Sequence, residues 1–342
     1  MDKINLFGKT LSELKEIVSS LSLPTFIAKQ IANWLYQKKA SSFEEMVNIS
    51  KKNRGLIKEK YTIEKISPQT FSKSKDGTKK YLFPVHGDGF IEVAYIPEKK
   101  RATLCVSSQI GCKMNCDFCM TGKQGFQKNL TSGEILAQIY EMPELESLTN
   151  IVYMGMGEPF DNIDEVLKSL EILTAEWGMG MSSKRITVSS IGVVPGLERF
   201  MNESKCHLAI SLHSPFHEER LSLMPVENKY PILEVIKTIK KLDISNSRKI
   251  SFEYIMFKGL NDTPNHAKAI AQLLNGIKAK VNLIHFHTIP NSNLQASCDK
   301  TMEAFRDTLN KKGIISTIRA SRGQDIEAAC GMLSTLELVK KA

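Results

Sequence analysis

From Thr103 onward the chain is a succession of short strand-like apolar runs, Thr103 to Ser107, Asn150 to Met154, Arg185 to Ser189, His207 to Leu212, Ile250 to Met256, Val281 to Phe286 and Ile314 to Ile318, alternating with helical segments. That alternation is the pattern of an α/β fold with a parallel sheet, and six or more such units point to a partial (βα)6-type barrel rather than a doubly wound sheet. Barrels of this kind gather their chemistry at the C-terminal ends of the strands. The polar residues fall there: Gly157 and Glu158, Ser189 and Ser190, Ser211 and His213, and His287 all follow apolar runs.

Upstream the pattern differs. Thr10 with Glu13 forms a capping box ahead of Leu11, Leu14, Ile17, Val18 and Leu21 at helical spacing, and a second helix follows Pro24 with Phe26, Ile27, Ile31, Trp34 and Leu35 on its apolar face. Residues 1–65 thus read as a small helical domain, made basic by Lys29, Lys38, Lys39, Lys51, Lys52, Arg54, Lys58 and Lys60. Those cations suit phosphate contacts with a nucleic acid, or they are a solvated face. Residues 66–100 read as a β-hairpin, Lys80 to Val85 and Phe90 to Ile96 around His86-Gly87-Asp88-Gly89, and residues 101–342 hold the barrel and a C-terminal extension. A formal charge of +9 fits a polyanionic partner without requiring one. Met1 to Thr10 contains no apolar run long enough for a signal peptide, and no segment approaches bilayer length, so the expectation is a cytoplasmic protein without a membrane partner.

Seven cysteines without an export signal favour reduced thiols over a disulfide framework. Three of them, Cys112, Cys116 and Cys119, lie within eight residues in a loop after a strand, with Gly111 and Gly122 for backbone freedom. A closed structural zinc site needs four ligands, and Asp117 is the one further candidate nearby. Three thiolates instead leave one iron of a 4Fe-4S cluster open to substrate, and three ordinary buried cysteines are the bland reading.

Cys-x-x-x-Cys-x-x-Cys is the radical S-adenosylmethionine (SAM) signature, and the surrounding phrases are narrower. Arg101-Ala-Thr-Leu-Cys105-Val-Ser-Ser-Gln-Ile-Gly-Cys112, Cys119-Met-Thr-Gly-Lys-Gln-Gly-Phe126, Met154-Gly-Met-Gly-Glu-Pro159 and Ser321-Arg-Gly-Gln-Asp-Ile-Glu-Ala-Ala-Cys330 resemble the RlmN family, as do Ala28-Lys-Gln-Ile31 and Trp34-Leu-Tyr36. The resemblance spans nearly the whole chain. It implies a radical SAM barrel that makes 2-methyladenosine in 23S ribosomal RNA before ribosome assembly, and in many members also in transfer RNA (tRNA), with an electron donor such as flavodoxin.

By the same resemblance, Cys112, Cys116 and Cys119 hold the 4Fe-4S cluster, whose open iron binds the amino and carboxylate groups of SAM, and one electron cleaves SAM to methionine and a 5′-deoxyadenosyl radical. Gly157 and Glu158 match the segment that binds the SAM amino group, while Ser189 and Ser211-Leu212-His213 match contacts to the rest of SAM. His287 departs from the family pattern, standing where many relatives carry asparagine, and it is either a replacement hydrogen-bonding group or a structural histidine.

Carbon 2 of adenine lies between two ring nitrogens and is too electron-poor to attack a methyl sulfonium. The family's solution implies that Cys330 accepts a methyl from one SAM, loses a hydrogen from it to the radical made from a second, and adds as a carbon radical to the base. The resemblance casts Glu92 as the acceptor of the C2 proton and Cys105 as the resolving thiol that releases product with a transient disulfide. Read from their surroundings alone, Cys105 is a small core residue in an apolar strand, and Glu92 a solvated outer-face residue. Cys206 and Cys298 match no functional position. Two rivals share the pattern: the sister activity resembling the Cfr family, which methylates adenine at C8, and an RNA-binding ribosome-assembly factor that has lost catalysis.

Overall fold

In this computed structural model, which describes residues 3–85, 87, 89–242 and 248–335, the chain opens with β1 (Ile4–Asn5) and α1 (Leu11–Ser20). The capping box forms as the spacing requires. The Glu13 N–H donates to the Thr10 hydroxyl at 3.3 Å and the Thr10 N–H to the Glu13 carboxylate at 2.8 Å, which satisfies two donors that a helix start leaves open. The second expected helix is α2 (Phe26–Ala32), continued by a π-helical turn over Asn33–Gln37. The basic α3 (Lys51–Lys60) then leads to β2 (Tyr61–Thr62), parallel to β1.

The hairpin forms from β4 (Lys79–Val85) and β5 (Gly89–Glu98), preceded by β3 (Thr70–Lys73); His86 and Asp88 of the expected turn lie outside the described residues. These strands are continuous with the barrel sheet, because β5 pairs antiparallel with β6 (Arg101–Cys105), Ala94 opposite Cys105.

After β6 come β7 (Gln109–Ile110), α4 (Met120–Gln124), β8 (Lys128–Asn129), α5 (Ser132–Tyr140), β9 (Asn150–Tyr153), α6 (Ile163–Thr174), β10 (Ile186–Ser190), α7 (Val194–Glu203) and β11 (His207–Ser211). The rest is α8 (His217–Leu223), α9 (Ile232–Lys241), β12 (Ile250–Met256), α10 (Pro264–Leu273), β13 (Ala279–His285), α11 (Asp299–Lys311) and β14 (Ile315–Ile318). The order β14-β13-β12-β11-β10-β9-β6-β5-β4-β3 places each parallel strand beside its predecessor. A doubly wound sheet reverses its strand order at a switch point, and this sheet never does, so the parallel part curls one way as a partial barrel. Its two ends, β14 and β3, are not paired to each other, so the barrel stays open.

The strand β12 is buried along its whole length, as expected where helices cover one face and barrel contents the other. Tyr254 points outward and stacks on Phe305 of α11 at 5.4 Å, while Glu253 and Ile255 line the interior. The N-terminal helices share a continuous apolar core with the barrel. Gly8 makes the junction: a Cβ there would fall 2.4 Å from the Gly133 nitrogen on α5, and the Ser132 hydroxyl donates to the Gly8 carbonyl at 2.9 Å. No helix among the described residues is long and apolar enough to cross a membrane.

Candidate active site

The cysteine loop is pinched shut at its base. Gly111 has φ +69°, and a Cβ there would fall 1.6 Å from the carbonyl oxygen of Gly125, to which the Cys112 N–H donates at 3.1 Å. The loop above carries Cys112, Cys116 and Cys119, the last being the residue that starts α4, and the Asp117 N–H ties it to the Leu223 carbonyl of α8 at 2.9 Å. Burial pushes the Cys112 thiol up to about 12 and the Cys116 thiol well above its ordinary value, and neighbouring thiols add to both shifts. Thiols this close and this hard to ionise suit a cationic metal group. A donor set made of three thiols in one loop is of the kind that an iron-sulfur cluster takes.

The three cysteines open onto a cavity of about 500 Å³ inside the barrel, which Cys105 and Cys330 also line, with Gly157, Glu158, Ser189, Ser211, His213 and His287. Gly157 has φ +96°, and a Cβ there would meet the Gln109 nitrogen at 2.8 Å, so only glycine lets the loop after β9 lie this close. Glu158 points into its own loop: its carboxylate accepts the Phe160 N–H at 2.9 Å and the Ile191 N–H at 3.0 Å, joining the ends of β9 and β10. Burial lifts its carboxyl to about 7 against those bonds.

His213 holds a left-handed backbone, φ +53°, fixed by Asn261, whose side-chain amide donates to the His213 carbonyl. Its Nδ1 accepts the Ile255 N–H at 3.0 Å, which leaves the ring proton on Nε2. Burial, and then the nearby Arg220, push the imidazole down to about 3. Leu212 between them faces the core and does not reach the cavity. His287 is half-buried, and burial followed by His285 holds it below the usual range.

Cys105 is half-buried at the end of β6 and faces the cavity rather than the core. Burial, and then Cys330 beside it, push its thiol up to about 12. Cys330 is enclosed by the protein yet open to the cavity, its thiol raised by burial and lowered by Arg319. All seven cysteines are free thiols, so the expected disulfide is not formed here. The Cys330 segment is pinned to α4: the Met120 N–H donates to the Gly331 carbonyl at 2.8 Å and the Thr121 hydroxyl to the Leu333 carbonyl at 2.6 Å.

Glu92 is buried, contrary to the solvated position its strand pattern suggests, because the C-terminal segment at Ser334 lies over that face of β5 and Lys80 of the neighbouring β4 reaches across to it. Its carboxylate pairs with Lys80 at 2.9 Å and accepts the Ser334 N–H at 2.8 Å; it does not line the cavity. Burial outweighs the lysine and raises its carboxyl. Cys206 is buried before β11 and Cys298 exposed before α11, both away from the cavity.

The structure adds residues that sequence reasoning passed over. Glu253, Asn282, Arg319 and Lys280 also line the cavity. A carboxylate inside the apolar run Ile250 to Met256 was the available signal, since charge is rarely buried without purpose. Arg220 is fully buried, paired with Glu227, and donates to the carbonyls of Ile191 at 2.8 Å, Ser211 at 3.0 Å and Leu212 at 3.1 Å, binding the ends of β10 and β11 together. Its helix, rich in charge, gave no sign of that burial.

Residues 106–274 match the Radical SAM superfamily, and residues 4–63 the Ribosomal RNA large subunit methyltransferase N-terminal domain. The chain is 58% identical over 339 residues to the probable dual-specificity RNA methyltransferase RlmN of Parabacteroides distasonis, covering 99% of both chains. It is 39% identical over 345 residues to the dual-specificity RNA methyltransferase RlmN of Syntrophus aciditrophicus, covering 100% of this chain and 99% of that one. A crystal structure of a radical SAM methyltransferase from Sphaerobacter thermophilus superposes with a TM-score of 0.88 at 36% identity, covering 96% of this chain and 99% of the other. Full-length agreement of that order, over the helical N-terminus and the barrel together, makes the chain a member of the RlmN family of radical SAM enzymes.

Proposed function

We propose that this protein is a SAM-dependent methyltransferase that forms 2-methyladenosine in 23S ribosomal RNA and in tRNA, in the cytoplasm. The observation that carries the reading is the single cavity onto which Cys105 and Cys330 open together with Cys112, Cys116 and Cys119. A three-cysteine cluster loop alone fits many radical reactions; the further pair of facing thiols fits a carrier and its resolver.

Cys112, Cys116 and Cys119 would hold a 4Fe-4S cluster, which when bound supplies one-electron cleavage of SAM, two SAM being used per turnover. The Ser189 and Ser211 hydroxyls, the Nε2–H of His213 and the His287 ring are the polar groups that would orient SAM, with Gly157 on the cavity wall beside them. Glu158 acts through its carboxylate and Leu212 through its main chain, by holding the loops after β9 and β11. Cys330 takes the methyl on sulfur and carries it to the base.

By the family resemblance Glu92 is the acceptor of the C2 proton; its carboxylate lies outside the cavity wall, held by Lys80 and the Ser334 N–H, so it would reach the base only as the Cys330 segment shifts. Its buried carboxyl is a stronger base than an exposed one, and receiving the proton means loosening its bond to the Ser334 N–H. Once the adduct has given up its unpaired electron to the cluster that the three cysteines would hold, Cys105 as a thiolate would attack the Cys330 sulfur: the S–S bond forms, the S–C bond breaks, and the electron pair stays on the released carbon, which takes a proton to become the methyl group. Arg319, near both thiols, favours the thiolate that this attack needs. An electron donor such as flavodoxin would serve the cluster, and the basic N-terminal helices would grip folded RNA.

The test is anaerobic reconstitution with iron and sulfide, reaction with protein-free 23S RNA and methyl-deuterated SAM, and mass spectrometry of the nucleosides. The expected product is 2-methyladenosine lacking part of the deuterium. An 8-methyladenosine product would move the protein to the sister activity, and an intact cluster with no product on either RNA would sink the catalytic reading.

A further inference from the structure

Deep in the barrel wall one carboxylate is only half satisfied. Glu253 stands midway along β12, between β11 and β13, and is 4% exposed. Its Oε1 accepts the Ser251 hydroxyl at 2.9 Å and the Asn282 side-chain amide at 2.7 Å. Asn282 is itself fixed, because the Thr317 hydroxyl donates to its Oδ1 at 3.0 Å. The Oε2 of Glu253 has no hydrogen bond, and its ion pair with Arg319, just past the end of β14, spans 3.8 Å. A carboxylate clamped at one oxygen and bare at the other, on a cavity wall, is unfinished without a donor from what the cavity admits. Arg319 is in the complementary condition. Among the described residues its side chain makes no hydrogen bond, so its donors are unspent. The wall thus offers an acceptor and a donor side by side.

Both groups stand near the methyl carrier. After burial, the charges that act on the Cys330 thiol are Arg319 first and Glu253 second. At Cys112 and Cys116 the leading charges are instead other thiols, Glu158 and Asp161, so Glu253 belongs to the Cys330 end of the cavity rather than to the cysteine loop. Adenine repeats the same order along its Watson–Crick edge. Carbon 2, which meets the sulfur-borne carbon, adjoins N1, an acceptor; N1 adjoins the carbon that carries the exocyclic amine, a donor.

We propose that Glu253 and Arg319 read the Watson–Crick edge of the target adenine inside the barrel, Oε2 of Glu253 accepting from the exocyclic amine and Arg319 donating to N1, which makes Glu253 a specificity-determining residue of the methyl transfer. This rests on the methyltransferase reading above. A base taken out of its stack exposes that edge, and enzymes that act on extruded bases recognise them there. Guanine presents a carbonyl where adenine has its amine, and that oxygen would meet the lone pairs of Glu253. Donation to N1 also draws electron density from the ring beside C2, which favours attack by an electron-rich carbon radical attached to sulfur.

The test uses the reconstituted wild-type protein and 23S hairpins that differ only at the target nucleotide. One carries adenosine, one purine riboside without the exocyclic amine, one 1-deazaadenosine without N1, and one 7-deazaadenosine with the Watson–Crick edge intact. Affinity is measured by fluorescence anisotropy without reductant, and kcat/KM for methylation on the adenosine and purine hairpins. The wild type is expected to favour adenosine over purine riboside by about tenfold or more in both measurements, to bind 1-deazaadenosine more weakly by a similar factor, and to bind 7-deazaadenosine as it binds adenosine. In Glu253→Gln the side-chain oxygen stays under the Asn282 amide, which sets an N–H donor against the base's amine. The preference for adenosine over purine riboside is expected to vanish in that variant, and the analogue series on the wild type stands whether or not the variant folds. Equal treatment of adenosine and purine riboside by the wild type would overturn the proposal, as would a preference undiminished in Glu253→Gln. So would a loss with 7-deazaadenosine in place of 1-deazaadenosine, which would put the other edge of the base against the wall. Weakened SAM binding by the variant with the base preference intact would also overturn it, by assigning Oε2 to SAM. Should binding show the preference and its dependence on Glu253, yet no methylated base form, the methyltransferase reading fails while the base-reading pair stands.

Discussion

His213 adopts a left-handed backbone that histidine accepts more readily than most residues, and its ring is held as a neutral acceptor for the Ile255 N–H. With the folded value near 3 and the unfolded value near 6.5, the unfolded chain binds the proton first as pH falls. Stability from this group is therefore complete above about pH 6.5 and declines by up to about 1.4 kcal/mol per pH unit towards pH 3. His213→Asn keeps an acceptor and tolerates positive φ but does not titrate. Urea unfolding at pH 7 and pH 5 is expected to show a smaller acid loss in the variant than in the wild type; equal losses would mean that His213 has no part in acid stability. The position was visible in the sequence as a polar residue after an apolar run, but its protonation state was not, because Ile255 and Arg220 reach it only through the fold.

Between elements, the turn from β3 to β4 grips the segment that carries Cys330. The Ser74 hydroxyl donates to the Asp325 carboxylate at 2.6 Å, and the Gly323 N–H to the Asp76 carboxylate at 2.9 Å. Asp76 also accepts the Thr78 N–H at 2.9 Å, and these bonds draw its carboxyl down to about 2 despite some desolvation. The hairpin thus fixes one end of the segment while α4 fixes the other. Asp76→Ala removes two charge-assisted bonds, and a local loss of about 1–3 kcal/mol is expected to quicken amide exchange over residues 323–335 by about tenfold or more, with little change in the global urea midpoint. Exchange confined to its wild-type rate would mean that α4 alone holds the segment. Such a latch could not be read from sequence, since Ser74 and Asp325 are 251 residues apart and neither belongs to a periodic pattern. The seven barrel strands could be read, because each is a local apolar run, and the observed bounds depart from the expected ones by only a residue or two. The continuity of the hairpin with the barrel was hidden for the same reason as the latch: Ala94 opposite Cys105 is a tertiary fact.

Over the whole molecule, the apolar core runs unbroken from Leu6 in the N-terminal segment to Leu333, and most of it lies in strands and helices away from the cysteine loop. The fold therefore does not depend on a metal as a zinc finger's does. The thiols proposed to bind iron are in the opposite position: burial raises Cys112 and Cys116 so far that protons compete for them at any physiological pH. Iron removal should separate these two properties. A chelator added to the reconstituted protein is expected to bleach the cluster faster at pH 6 than at pH 8, because each freed thiolate is trapped by a proton. The bleached protein is expected to keep its far-ultraviolet circular dichroism and a cooperative thermal transition. Bleaching at a pH-independent rate would mean that the thiols are not raised as the cavity implies. Collapse of the dichroism on iron loss would mean that the barrel is completed by the cluster, and that the continuous core is not enough to hold the fold.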